Sequence, residues 1–354
     1  MTTFIQFHSL TRYGLSNPNR DDQGRPKQAM IGGSPRLRMS SQSVKRALRE
    51  SAFFALDLGG NRGIRTKRLH DHLLDRLIAA GQAEATAAEI AEQVAGVFGK
   101  LDAPAKGERR RHATTLAFIS PEEWAFAEEL ADKAAAGEAL PDKKALTKLI
   151  LRRADGAVDI AMFGRMLADN ADYNREAAVQ VAHAFTTHAA QIQEDWYSAV
   201  DDLNKKEETG AGHLGETGFG SGIYYQYVCV NADLLIENLA GDKELAAKGG
   251  EALTQALALA TPRGKQNSFA HHPHTEYLLA EVGPQTPRDL SGAFFAPVHG
   301  QPWFETSVEA LHKTRADLDA AYGPSCAEHR LMQVGQGGTL ADIVAFVGDT
   351  IRGL

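Results

Sequence analysis

The segment PRLRMSSQSVKRALRE, residues 35–50, most restricts what this chain can fold into. Its first five residues alternate between apolar and basic types. This alternation predicts a strand with Leu37 and Met39 facing inward and with its arginines on the other face. The serines that follow are possible helix N-caps, and a helix is predicted over 43–56. A strand that leads directly into a helix start predicts mixed α and β structure.

The same part of the chain is strongly cationic. Nine of the 38 Lys and Arg residues but only two acids, Asp21 and Asp22, lie between Arg12 and Arg49, which gives this segment a charge of +7. The whole chain has a net charge of −7, so the remaining residues carry −14. A cationic island on an anionic protein indicates one local anionic partner, and a nucleic-acid backbone fits best.

The start of the predicted helix offers the chemistry of a phosphate site. The first backbone N–H groups of a helix have no partner inside it and carry partial positive charge. Lys45 and Arg49 are four residues apart and therefore share one helical face, where a phosphate would relieve their mutual repulsion. A solvated basic face is the competing interpretation, and the combination with the strand and the serines favours phosphate.

Arg20, Arg25 and Lys27 lie in the preceding polar loop and are expected to close over the same ligand. The paired acids of this loop raise a second possibility, a divalent metal for phosphodiester cleavage. Turn formation or pairing with Arg20 is favoured, because no further acids follow at metal-ligand spacing. We therefore expect no metal, no cofactor and no catalytic residue.

Composition restricts the class of protein. No apolar run is long enough to cross a bilayer, the N-terminus lacks signal-peptide features, and the cysteines, Cys229 and Cys326, form no CxxC pair. These features favour a cytoplasmic protein without a disulfide framework.

The rest of the chain divides by pattern. A strand is predicted over 4–10, helix-rich sequence over 59–183, a polar arm with Trp196 and Tyr197 over 195–222, and a core strand over 223–230. Further helices are predicted over 244–260, 308–321 and 340–351. Ser120-Pro121-Glu122-Glu123 is a strong helix start.

Other candidates are weaker by themselves. The aromatic pair of the arm suits stacking on single-stranded bases but also suits a core, and Met166 leaves the same choice open. The loop 262–266 is basic around Gly264 and is a possible second phosphate contact. The run 271–274, with three histidines, is interpreted as a surface loop rather than a metal site.

Several of these motifs occur together in register in one known family. Asn19–Asp22, Arg36–Arg46, Val158–Ala161 with Gly164–Met166, and Asp195–Trp196 through Ala199–Leu203 with His213–Gly215 resemble the backbone subunit of the type I-E CRISPR Cascade complex, the CasC family. The resemblance spans about residues 1–270, and beyond Tyr277 it rests on length and position.

This resemblance implies an α+β, hand-like fold. A modified ferredoxin-like, RRM-type palm would comprise residues 1–58, which hold the RNA-backbone-binding strand and helix, together with 183–194 and 223–354. An inserted helical fingers domain would comprise 59–182. A β-hairpin thumb would comprise 195–222.

The resemblance also implies a function. Members are non-catalytic subunits that stack as a helical filament along one CRISPR RNA, contact other Cascade subunits, and present the guide for base pairing with target DNA. The thumb would reach toward the next copy and kink the guide. Arg109–Arg111 in the fingers are candidates for target-DNA contact.

Site residues follow position by position. The guide-backbone contacts would be Arg20, Lys27, Ser40, Gln42, Lys45 and Arg49, to which the basic motif itself adds Arg38 and Arg46. Gly264 and Lys265 fall where a family loop approaches the guide, and Met166 matches a residue packed against guide bases. The thumb residues in the kink would be Trp196, Tyr197 and Val200.

Two other functions remain open on the sequence. One is a metal-dependent ribonuclease that cleaves target RNA through Asp21 or Asp22, because related type III backbone subunits use a loop aspartate. The other is a generic single-strand-binding protein, which would bind without a fixed number of copies per guide.

Overall fold

The protein is an α+β protein, as the sequence predicts. A computed structural model describes residues 1–104, 109–199 and 213–354. The chain forms two compact units. Unit 1 comprises Met1–Phe54, Gln180–Asn231 and Gly250–Thr350; unit 2 comprises Ala55–Val179, Ala232–Gly249 and Ile351–Leu354.

Unit 1 is built on an antiparallel sheet. Its strands run in the order β11-β10-β1-β9-β7-β3-β2, and β6 and β8 also pair with β9. These strands are β1 (Phe4–Ser16), β2 (Gln28–Ile31), β3 (Ser34–Met39), β6 (Val179–Val181), β7 (Ala184–Thr186), β8 (Gln193–Ala199), β9 (His213–Asn231), β10 (Thr275–Gly283) and β11 (Glu328–Gln333). A separate pair in unit 2 joins β4 (Ile64–Thr66) and β5 (Ala117–Ile119).

The helices follow the predicted order with shifted ends. They are α1 (Ser41–Arg49), α2 (Ala52–Leu56), α3 (Leu69–Ala79), α4 (Glu84–Ala95), α5 (Pro121–Ala135), α6 (Lys143–Ile150), α7 (Val158–Phe163), α8 (Ala232–Asn238), α9 (Lys243–Leu259), α10 (Gln266–Phe269), α11 (Trp303–Tyr322) and α12 (Leu340–Gly353). The predicted start of α5 is confirmed, with Ser120 and Glu123 in a reciprocal capping box.

The helix predicted over 43–56 is wrong as a single element. It is divided into α1 and α2 at Glu50–Ser51. The Ser51 hydroxyl accepts a hydrogen bond from Phe54 N at 3.4 Å and so begins the second helix. A serine side chain that competes for backbone N–H groups explains the break.

Strand β1 is buried on both faces, which its alternating sequence did not predict. Ile5 and Phe7 are in the core as expected, but the polar face is also covered, with Gln6 2% and His8 0% exposed. The Gln6 amide oxygen accepts hydrogen bonds from the Tyr227 hydroxyl at 2.7 Å and from Arg288 N at 2.6 Å.

Glu281 on β10 is the centre of a buried polar network in unit 1. Its carboxylate lies 3.4 Å from His8 Nε2, and it accepts hydrogen bonds from Arg315 Nε at 2.6 Å and from Ser325 Oγ at 3.1 Å. Burial alone would raise the pKa of Glu281, but these partners outweigh it and lower the pKa to about 2. The network therefore ties β1 and β10 to the chain that follows β10.

This network predicts a pH-dependent contribution to stability. Above the ordinary carboxyl pKa of 4.5, Glu281 is ionised in both the folded and the unfolded chain, so its stabilisation is complete. As the pH falls from 4.5 toward about 2, only the unfolded chain gains a proton, so this stabilisation is lost. We expect the stability advantage of the wild type over Glu281→Gln in urea unfolding to shrink by about 2 kcal/mol between pH 6 and pH 3.

Glu328→Gln is the matched control, because Glu328 is an exposed carboxylate on β11. Its stability difference from the wild type should stay nearly constant over this pH range. A constant difference for Glu281→Gln as well would contradict the assigned network.

Candidate nucleic-acid interface

The start of α1 has the geometry that the sequence predicts for an anion site. Ser40 is the N-cap, and its hydroxyl accepts a hydrogen bond from Ser43 N at 3.3 Å. No acid lies in the first turn, whereas Arg46 and Arg49 lie in the last turn. The remaining first-turn N–H groups therefore have no carboxylate in their own turn that would compete with an anion. Ser40 itself is only 7% exposed, so its hydroxyl is used mainly for the cap.

The loop after β1 is held rigidly beside this helix start. Asn17 is fully buried, and its Nδ2 donates to Gly24 O at 3.0 Å and to Gly218 O at 2.9 Å. The next asparagine, Asn19, accepts through Oδ1 from Ser40 N at 2.8 Å. The backbone that carries the exposed Arg20 is therefore held in place next to α1.

A basic groove runs between this loop, α1 and the loop before α10. It consists of two adjoining cavities of about 840 and 690 Å³ that share Arg20, Ala47 and Arg263. Other lining groups are Arg46, Lys265 and His272, with acids at Asp21, Asp22 and Glu50. Four cations from three segments that are far apart in the sequence thus converge on one surface, as anion binding requires.

Arg263 is the member of this groove that the site prediction missed. The basic loop 262–266 was recognised, but only Gly264 and Lys265 were assigned from it. Because Arg263 lines both cavities, it lies nearer the centre of the groove than Lys265 does. The sequence did contain a signal for Arg263, because it is a second cation beside Gly264 in the same basic loop.

Helix α1 presents two different faces. Ser43, Arg46, Ala47 and Glu50 line the groove. Gln42, Lys45 and Arg49 share another side of the helix, since positions three and four apart lie on one face. Lys45 and Arg49 therefore share one face, as predicted, but neither lines the groove.

The two strand arginines have different roles, and the expectation for Arg36 is wrong. Arg36 is fully buried and donates to Thr186 O at 2.8 Å and to Phe294 O at 3.0 Å, so it cannot face a ligand. Arg38 is partly exposed; its Nε donates to Gln28 O at 3.1 Å. Its Nη1 also lies 3.2 Å from Nδ1 of His183.

Arg38 and Lys27 form a second cationic position. Burial lowers the pKa of His183, and the charges of Arg38 and Lys27 lower it further. The backbone fixes this pair, because Arg38 N donates to Lys27 O at 2.8 Å. The structure therefore brings these two predicted contacts together.

The described part of the arm is a hairpin between β8 and the beginning of β9. Trp196 is 71% exposed and Tyr197 47%, and as successive strand residues they face opposite sides. The Tyr197 ring lies over Gly215, where a Cβ would come within 2.4 Å of it. Both aromatics are therefore accessible surface groups and not core. Val200 lies outside the described residues.

In unit 2, Met166 is 80% exposed between anchored neighbours. Arg165 forms a buried ion pair with Glu123, and Leu167 N donates to Asn174 Oδ1 at 2.6 Å. A large apolar side chain held outward on a fixed backbone is available to a ligand.

The arginines of the 109–111 cluster, in contrast, pair with Glu84, Asp75 and Glu92, which reduces their value as DNA contacts.

The loop acids are arranged as turn residues. Asp21 Oδ1 accepts from Gln23 N at 3.0 Å and from Arg25 N at 2.9 Å. Within residues 1–104, 109–199 and 213–354, no group of three His, Cys, Asp or Glu side chains could hold a metal ion.

In the three-histidine run, His271 is buried and its Nε2 lies 3.0 Å from Pro262 O, whereas His272 is exposed. No helix of the described ranges is both long and apolar enough to span a membrane.

Comparison with known proteins gives one family and two similar structures. The sequence model of a family described as CT1975-like protein matches residues 5–345. A chain described as "CRISPR RNA-guided surveillance complex, pre-nicking" is 28% identical with a TM-score of 0.84, and the match covers 99% of each chain. A chain described as "CRISPR RNA-guided surveillance complex" is 24% identical with a TM-score of 0.73, covering 99% of this chain and 100% of that one. No curated protein matches.

Gly264 provides a test of the groove architecture. Gly264 N donates to Pro18 O at 3.2 Å, and a Cβ on this glycine would come within 2.4 Å of that oxygen. We expect Gly264→Ala to separate the two loops and to cost about 1–3 kcal/mol of stability, measured by thermal unfolding and by amide exchange in residues 17–27. Gly292→Ala, which meets nothing within 4 Å, is the control and should change neither. Unchanged exchange in Gly264→Ala would show that the loops are not in this contact.

Proposed function

The chain belongs to the CT1975-like protein family, and we propose that it is a non-catalytic, CRISPR RNA-binding backbone subunit of a Cascade-type surveillance complex. The observation that carries this proposal is the convergence of cations from three separate segments in the groove along α1. The likeness over 99% of the chain to a subunit of such a complex supports it.

The basic groove is suited to an RNA backbone rather than to particular bases. Arg20, Arg46 and Arg263 offer guanidinium groups that pair with phosphate oxygens. Such contacts carry no sequence information, so one subunit can hold any guide. Reading of the target is then left to base pairing.

We also assign roles to the other predicted contacts. In this proposal Lys45, Arg49 and Gln42 bind the backbone beside it, while Lys27 and Arg38 extend the cationic surface. Exposed Trp196 and Tyr197 provide faces for an unstacked nucleotide. Met166 would pack against the bases, and Val200 would belong to the same thumb segment.

We further propose the type I-E, CasC-like form of this function. The chain would be a hand with an RRM-type palm, helical fingers and a thumb, which stacks in the cytoplasm with further copies of itself along one CRISPR RNA. Other Cascade subunits and target DNA, paired to the guide, would be its partners. No cofactor or metal is part of the proposal.

The alternative is a metal-dependent ribonuclease that uses Asp21 or Asp22. The hydrogen bonds that Asp21 accepts from Gln23 N and Arg25 N favour a turn-forming role. We expect the purified chain to leave complementary RNA intact with magnesium present, as judged by gel electrophoresis of labelled RNA. Cleavage that is lost in Asp21→Ala or Asp22→Ala would replace our proposal with the ribonuclease.

The face of α1 beside the groove provides the direct test. The double variant Lys45→Ala/Arg49→Ala should bind guide RNA more weakly, and by the same factor for every spacer, because only backbone contacts are lost. The log–log salt dependence should flatten by about 0.7 for each lost phosphate contact. Native mass measurement after co-expression should show several copies per RNA for the wild type and fewer for the variant.

Lys313→Ala/Arg330→Ala is the control, because it removes two surface cations elsewhere in unit 1. It should leave affinity, slope and copy number nearly unchanged. A spacer-dependent loss in the α1 variant would contradict a backbone grip, and binding without a fixed number of copies would favour a generic single-strand-binding protein.

A further inference from the structure

Arg25 belongs to the basic loop but lies against the arm. Its Nη2 is 3.0 Å from Glu194 Oε1 on β8 and 3.5 Å from Glu216 Oε1 on β9. One guanidinium thus joins both strands of the hairpin to the loop that presents Arg20. The sequence had instead placed Arg25 with the ligand-binding cations.

Two further contacts hold the same junction. The buried Asn17 side chain donates to Gly24 O of the loop and to Gly218 O of β9. Gly218 also lies under Pro26, where a Cβ would come within 3.1 Å of the ring. The loop is therefore joined to the arm by a buried side chain, a close backbone approach and an ion pair.

The strand register explains why the ion pair matters to the aromatic groups. Glu194 pairs with Gly218 and Trp196 with Glu216, so both glutamates and Trp196 share one face of the hairpin. Without Arg25, two carboxylates on neighbouring strands would stand close together beside Trp196. They would repel each other and any phosphate that approached this face.

We propose that Arg25 is a positioning residue that latches the arm to the basic loop and neutralises its two glutamates, so that Arg20 and Trp196 meet one RNA strand in a fixed relation. This inference rests on the proposed function for its ligand but not for the latch itself. Each exposed ion pair contributes only about 0–1 kcal/mol, so the latch fixes orientation more than it adds stability.

The latch can be tested in the free protein by amide hydrogen exchange. Arg25→Gln should speed exchange in β8 and in residues 214–218 of β9. The charge exchange Arg25→Glu/Glu194→Arg should restore protection. Arg12→Gln, which removes an exposed ion pair to Glu276 on the same sheet, is the control and should leave the arm unchanged. Unchanged exchange in Arg25→Gln would overturn the latch.

RNA binding distinguishes a latch from a direct phosphate contact. With labelled single-stranded guide RNA as probe, Arg25→Gln should lower affinity about fivefold, equivalent to about 1 kcal/mol, and leave the salt slope unchanged. Glu194→Gln/Glu216→Gln removes the same ion pairs and should lower the affinity of the wild type by a similar factor, whereas in Arg25→Gln, where these pairs are already lost, it should not lower the affinity further.

A direct phosphate contact of Arg25 would give a different result. The log–log salt slope of Arg25→Gln would fall by about 0.7, and Glu194→Gln/Glu216→Gln would change the affinity of the wild type and of Arg25→Gln by the same factor. If the wild type binds no RNA, the proposed function fails, and the exchange experiment still decides the latch.

Discussion

The antiparallel pairing of β1 with both β9 and β10 is the constraint on which the candidate site depends. Ser16 at the end of β1 pairs with Gly220 of β9, and Thr11 pairs with Thr275 at the beginning of β10. Three connections that are distant in the sequence therefore meet at one end of the sheet: the loop after β1, the arm before the inner part of β9, and the basic loop before β10. The groove follows from this register, because each connection brings cations or aromatics to that end.

The sequence was most informative where local chemistry decides the structure. Alternation predicted β3, serine caps predicted the starts of α1 and α5, and a run of β-branched and aromatic residues predicted the inner part of β9. These signals act within a few residues and need no tertiary information. The break at Ser51 was missed because a serine can either continue a helix or cap a new one, and here its hydroxyl accepts a hydrogen bond from Phe54 N.

The role of each arginine could not be predicted, because it depends on distant partners. Arg36 and Arg38 have the same sequence environment, yet one is buried against two carbonyl groups and the other remains partly exposed. Arg25 pairs with acids 169 and 191 positions away in the chain. Likewise, the second buried face of β1 depends on residues after Tyr277, for which no motif gave a role. The number of cations in this segment could thus be predicted from the sequence, whereas the partner of each cation could not.

Strand β9 belongs to the arm at its beginning and to the sheet for the rest of its length. Its side chains therefore alternate between the two faces without interruption from Gly215 to Val230. Insertion of one residue between 219 and 223 would reverse that alternation for the arm alone, and a side chain would replace Gly215 beneath the Tyr197 ring. Two inserted residues would preserve it. A single inserted residue can be accommodated there only as a bulge, of the kind that the pairing of β1 with β9 already has between Tyr13 and Ser16.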